Sequence, residues 1–241
     1  MSKRRTSTRS PSTSGGAFDG GDEHQHPVAD VADRMDLTVL AGLAVAATAM
    51  GSMFTFGRRH FWSRAMAAGT VIGVFGAVAE RDRLGDYLRP TSVDVVIGVG
   101  SAALLYLVFR GGNRGLEKFL PARHREVRDL YRLRAEARLG AIPPMIATVA
   151  VSEELFWRGF VQARAGLVVA TAAYALVLIW ERKIVLIVAA LICGATWGAL
   201  FAWRDTLVAP VLSHVLWDLA IMVFFPVGIA RATITEATPP P

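Results

Sequence analysis

Two adjacent carboxylates and an arginine, Glu153, Glu154 and Arg158, occupy the stretch SEELFWRGF (152–160), between the apolar runs GAIPPMIATVAV and GLVVATAAYALVLIW. On a helix Glu154 and Arg158 share a face and can pair, while Glu153 points about a quarter-turn away and is left for something else. A second polar cluster comes late, in APVLSHVLWDLAIMVFF, where His214 and Asp218 repeat the same helical spacing. A histidine and a carboxylate so placed can share a proton, hold a water, or supply two positions of a metal site. A charge at a bilayer centre costs about 2.5–3.5 kcal/mol on insertion scales, so groups like these face a bundle interior and are functional by default. Desolvation and a nearby cation pull a carboxylate's proton affinity in opposite directions, and the balance can hold one glutamate ionised as a base for water. The plainer alternative is a salt-bridge network that only fixes how helices pack.

The elements that must position these groups are apolar. The chain has 241 residues, 53% of them hydrophobic, and a mean hydropathy of +0.41. Its apolar residues come in blocks, 37–56, 61–79, 92–109, 141–160, 166–180, 184–203 and 207–230, rather than in stripes. These lengths approach the ~20 residues that cross ~30 Å of hydrocarbon, and spans without water to serve their backbone should be helices. The second and fifth are short enough to be tilted, re-entrant or covered by neighbours. Gly and Ala recur within the blocks (AGLAVAATAMGSM, GVGSAALL, AALICGATWGAL), which lets backbones approach closely. The expected fold is all-α, a polytopic transmembrane helical bundle of about seven spans, preceded by a disordered N-terminal tail.

That tail, residues 1–34, is rich in Ser, Thr, Gly and Asp and without periodicity, a composition that cannot bury a core. No apolar stretch follows its KRR, which argues against a cleaved signal peptide; His24 and His26 read there as solvated side chains. The longest polar interruption, 110–140, holds nine Lys/Arg against four Asp/Glu. In it Val127, Leu130 and Tyr131 recur at helical spacing among arginines, as in an amphipathic helix on a membrane surface. The positive-inside rule accounts for these arginines and for the net charge of +6, so nucleic acid is not an expected partner and anionic lipid is. On that rule Arg58, Arg59, Arg64, Arg182 and Lys183 share the side of this loop. The single cysteine, Cys193, permits no disulfide within the chain and is no metal site by itself. No internal repeat is visible, which counts against an inverted-repeat, proton-coupled transporter.

Glu153, Glu154 and Arg158 match the pattern EExxxR, continued as RGFVQ, and His214 with Asp218 matches HxxxD. Both motifs occur in order, each within an apolar span. Over about residues 140–226, including the Gly-rich GATWGALFAWRDTLVAPVLSHVLWD, the chain resembles the CAAX prenyl protease and bacteriocin-processing family, the glutamic-type intramembrane peptidases. That resemblance implies an endopeptidase core at 140–230, after N-terminal transmembrane helices at 35–110 and a basic surface segment at 111–139, with a short polar tail at 231–241. It also implies an enzyme of the cell membrane that hydrolyses a peptide bond of a membrane-associated or lipidated peptide with a glutamate-activated water. Glu153 would be the general base. Glu154, paired with Arg158, would hold the site's charge, and His214 with its partner Asp218 would orient the water or stabilise the oxyanion. A divalent metal such as zinc is compatible with the family, its obvious ligands here being Glu153, His214 and Asp218.

The family's second motif, FxxxH, departs. In register it becomes Tyr174-Ala-Leu-Val-Leu178, with leucine where histidine belongs. An FxxxH spacing does occur at Phe56 and His60, but before the glutamates and in a basic loop. Leucine neither binds metal nor relays a proton. The expectations are then a weaker enzyme, an enzyme with a substitute group, or an inactive relative that binds peptides as a scaffold or immunity-type protein.

Overall fold

The computed structural model describes residues 37–55 and 59–227. The expected disordered tail with His24 and His26, the short C-terminal tail, and Phe56 and Arg58 lie outside the described residues. Those that are described form helices and no strand. Eight helices matter here: α1 (Leu37–Thr55), α2 (Phe61–Ala79), α3 (Ser92–Phe119), α4 (Pro121–Tyr131), α5 (Ile142–Glu154), α6 (Ala163–Leu176), α7 (Ile184–Arg204) and α8 (Val208–Leu219). Two π-helical stretches, Leu155–Gln162 and Ala220–Phe224, prolong α5 and α8.

Four helical stretches among the described residues are long and apolar enough to cross a membrane: α2, α3, α7 and the run Leu139–Glu181. The apolar helices Leu37–Met53 and Val208–Phe224 are shorter. Seven is therefore an approximate count, since the expected blocks 141–160 and 166–180 lie within one helical run. That run is not straight. Glu153 and Tyr174 are 21 residues apart yet hydrogen-bonded at 3.0 Å, whereas a continuous helix would separate them by about 31 Å. The chain doubles back at Gly166, whose φ of 83° and ψ of 167° favour a residue without a Cβ. Val and Leu side chains of α2 and α3, among them Val71, Val74, Val78, Val96, Leu104 and Leu107, are exposed on the outside, as a lipid-facing wall requires.

The glutamate-bearing helix packs on α2 with almost no clearance. A Cβ on Gly73 would lie 2.7 Å from the Ser152 side chain and 2.9 Å from its Cα. Gly73→Val should therefore push α5 away at the residue preceding Glu153, costing about 1–3 kcal/mol as overpacking does. Unfolding by a denaturing detergent, followed by tryptophan fluorescence, measures that loss. Gly98 on α3 similarly admits Ala209 and Leu212 of α8, so the histidine-bearing helix is held from its other side.

The start of α3 is built from local chemistry. Thr91 is its N-cap and Asp94 completes a reciprocal capping box. Arg204, at the end of α7, donates from Nε to Asp94 Oδ1 at 2.8 Å, tying α3 and α7 at one end of the bundle. At the other end α3 runs on to Phe119, past the apolar block that ends at 109, into the segment expected to be a separate surface unit. The helix α4 follows. Val127, Leu130 and Tyr131, expected to form the apolar face of a surface helix, line a cavity. Backbone contacts hold this strap: Trp62 Nε1 donates to Leu133 O at 2.9 Å, Val185 N donates to Glu126 Oε2 at 3.3 Å, and Val227 N donates to Tyr131 OH at 3.0 Å. Burial pushes the Tyr131 phenol's pKa up, so it stays neutral as that acceptor.

Candidate active site

Glu153 and Glu154 end α5, and Arg158 follows in the π-helical stretch, a wide-turn geometry that recurs at functional sites. Glu154 is fully buried. Its two oxygens are divided between two helices: Arg158 Nε lies 3.2 Å from Oε2, and His214 Nδ1 lies 2.8 Å from Oε1. The expected pairing of Glu154 with Arg158 is thus present, and a residue 60 positions away closes the carboxylate's other side.

This contact orients the imidazole. A carboxylate ion-paired to arginine only accepts, so Nδ1 carries a proton and donates it, which leaves Nε2 turned the other way. Nε2 lies 3.6 Å from Asp218 Oδ2, too long for a hydrogen bond but within electrostatic reach. Trp197 stacks on the imidazole with ring centroids 3.7 Å apart and planes 18° from parallel. The indole is itself held, donating from Nε1 to Ser213 Oγ at 3.1 Å, while that hydroxyl donates to Ser101 Oγ at 3.1 Å. Arg158 is covered by rings: its guanidinium carbon is 5.1 Å from the centre of Tyr174 and 5.4 Å from that of Trp197, with Nη2 aimed at Gly194 O, 3.4 Å away. Cation–π contact of this kind compensates a buried guanidinium that lacks a full set of acceptors.

Glu153 belongs to another part of the site. It joins none of the other four by a hydrogen bond; Tyr174 OH donates to its Oε2 at 3.0 Å. What unites them is space. Glu153, His214 and Asp218 line one cavity of about 660 Å³ together with Tyr174 and Leu178, and the remainder of its wall is mostly apolar, from Met50, Met53 and Trp62 to the inner face of α4. Asp218 is the least buried of the five, its side chain 25% exposed. The late histidine-bearing helix therefore meets the glutamate-bearing one, and polar groups from both face a shared apolar chamber.

Sequence reasoning missed Trp197, Ser213 and the hydroxyl of Tyr174. A signal for Trp197 was present: GATWG sets one large ring between small residues inside an apolar span. Tyr174 was visible only as an aromatic in a motif position. The histidine of the FxxxH spacing, His60, precedes α2 as its N-cap in a left-handed conformation and is exposed; its neighbours Phe61 and Trp62 line the cavity and it does not.

Metal ligation finds little support in the donor geometry. Among the described residues no group of three or more His, Cys, Asp and Glu side chains is arranged to hold an ion. Glu154 and His214 Nδ1 are spent on each other, and Glu153 is held by a phenol. The residues present do not fit a zinc-type site, which needs at least three converging protein ligands.

Residues 136–220 match the family model described as Rce1-like, type II CAAX prenyl endopeptidase Rce1-like. That stretch is similar to the Rce1-like family. It runs from the end of the strap through α8 and contains Glu153, Glu154, Arg158, His214 and Asp218. No curated protein and no solved structure matches the chain. Rce1-like proteins are integral membrane proteins, which agrees with the apolar helices here, and the family points to CAAX-type intramembrane protease activity.

Proposed function

We propose that this protein is an intramembrane endopeptidase of the cell membrane, cutting a membrane-associated or lipidated peptide with a water activated by Glu153. The observation that carries this is the meeting of Glu153, His214 and Asp218 at the wall of one largely apolar chamber. Such a chamber accepts an apolar substrate segment while its few polar groups fix the scissile bond.

In the reaction, Glu153 takes a proton from water as the oxygen lone pair forms a bond to the peptide carbonyl carbon, and the carbonyl π pair moves onto oxygen. Collapse of that oxyanion breaks the C–N bond. The proton held by Glu153 passes to the departing nitrogen, leaving a carboxylate product and an amine product. His214 presents Nε2 to the water or the oxyanion, with Asp218 beside it. Glu154 keeps the imidazole oriented and Arg158 balances its charge. No step is routed through a metal.

A second reading has its own observation. Leu178 lines the same chamber, an apolar side chain where family members carry an acid–base group, which suits a protein that binds peptides without cutting them. Reconstitution in liposomes with a peptide library, comparing the native chain with Glu153→Ala and Leu178→His, separates the two. Cleavage by the native chain that Glu153→Ala abolishes supports the peptidase. Cleavage that arises only after Leu178→His identifies a binding protein.

A further inference from the structure

We infer that Tyr174 is the positioning residue for Glu153, its phenol doing for the general base what the histidine absent at Leu178 would otherwise do. The inference rests on the peptidase reading and adds to it the group that makes the site competent without that histidine.

Tyr174 and Leu178 stand one turn apart near the end of the doubled-back segment, and both line the chamber. One of the pair is a leucine, with no polar group to offer; the other carries a hydroxyl on a ring. That hydroxyl is not idle. It donates to Glu153 Oε2 at 3.0 Å, and the ring bearing it is buried and pinned from two directions. Arg158 covers one face, with its guanidinium carbon 5.1 Å from the ring centre. Trp157 leans on the ring with centroids 5.5 Å apart. A side chain held this way has one rotamer to offer, so its O–H marks a fixed point for a carboxylate that would otherwise turn about its own torsions. With Oε2 occupied by the phenol, Oε1 is the oxygen that receives the water's proton. Phenylalanine would keep the volume and the guanidinium contact and lose only the O–H.

The test compares Tyr174→Phe, Tyr174→Phe/Leu178→His, Leu178→His and Glu153→Gln with the native chain in proteoliposomes, measuring kcat and KM on one cleaved peptide together with the unfolding midpoint. Tyr174→Phe should lower kcat about 10- to 100-fold, the effect of one hydrogen bond to a charged group, with KM within about twofold and the midpoint unchanged. Adding Leu178→His should recover most of that loss, which a merely structural role for the phenol does not predict. Native kcat in Tyr174→Phe overturns the inference. So does a loss that the histidine does not recover, whether or not the midpoint falls; cleavage that arises only after Leu178→His instead removes the peptidase reading itself, a result distinguishable from these. A Glu153→Gln protein as active as the native chain removes Glu153 as the general base, and with it the group Tyr174 is inferred to position.

Discussion

Glu153→Gln in the reconstituted protein should reduce kcat about 10²–10⁴-fold, the range for removing a positioned general base, while KM stays within a few-fold. Glutamine has nearly the shape of glutamate, and its carbonyl oxygen can still accept the Tyr174 hydroxyl that holds Glu153 Oε2 at 3.0 Å. The chamber and the ring packing are thereby kept, and only the capacity to take a proton from water is lost. An interaction made in the transition state alone appears in kcat in this way. Initial rates over a substrate series, read by mass spectrometry of the products, provide both constants. A variant that cleaves at the native rate would falsify the role of Glu153.

Arg158→Leu should destabilise the fold by about 3–5 kcal/mol, because removing one partner of a buried pair leaves the other charge uncompensated. The pair is well suited to this effect: Arg158 and Glu154 side chains are 2% and 0% exposed, with Nε and Oε2 3.2 Å apart. The same change withdraws the guanidinium from the faces of Tyr174 and Trp197 and so loosens both rings that frame the site. Combining it with Glu154→Gln should restore a large part of the loss, since a neutral amide can still accept from His214 Nδ1 while carrying no orphaned charge. Unfolding curves in mixed micelles of increasing denaturing detergent measure both proteins. Equal stability of the single variant and the native chain would mean that water or lipid reaches Glu154.

Several features were legible in the residues because they depend on near neighbours. Apolar blocks of spanning length, the i,i+4 pairing of Glu154 with Arg158, and the common face of His214 and Asp218 all follow from helical period and from the cost of putting charge in hydrocarbon. The same rules stopped short at the strap. Its alternation of arginine with Val127, Leu130 and Tyr131 describes an amphipathic helix equally well on a lipid surface or over a chamber, and the place of these three side chains on the chamber wall is read only from the tertiary structure. Span counting divides the stretch around Gly166 into blocks ending at 160 and resuming at 166; that the chain doubles back at Gly166 itself is set by what α6 meets when it folds back.

The residues by themselves determined a membrane-spanning helical protein with buried acids, a buried arginine and one buried histidine, because hydropathy and spacing are properties of the chain read in order. Tertiary structure alone decided which oxygen of which glutamate each partner takes: His214 on Glu154, Tyr174 on Glu153, Trp197 flat on the imidazole. Those contacts join residues 60, 21 and 17 positions apart, and contacts over such separations depend on helix crossings fixed by side-chain volume, for which no local pattern in the chain carries the information.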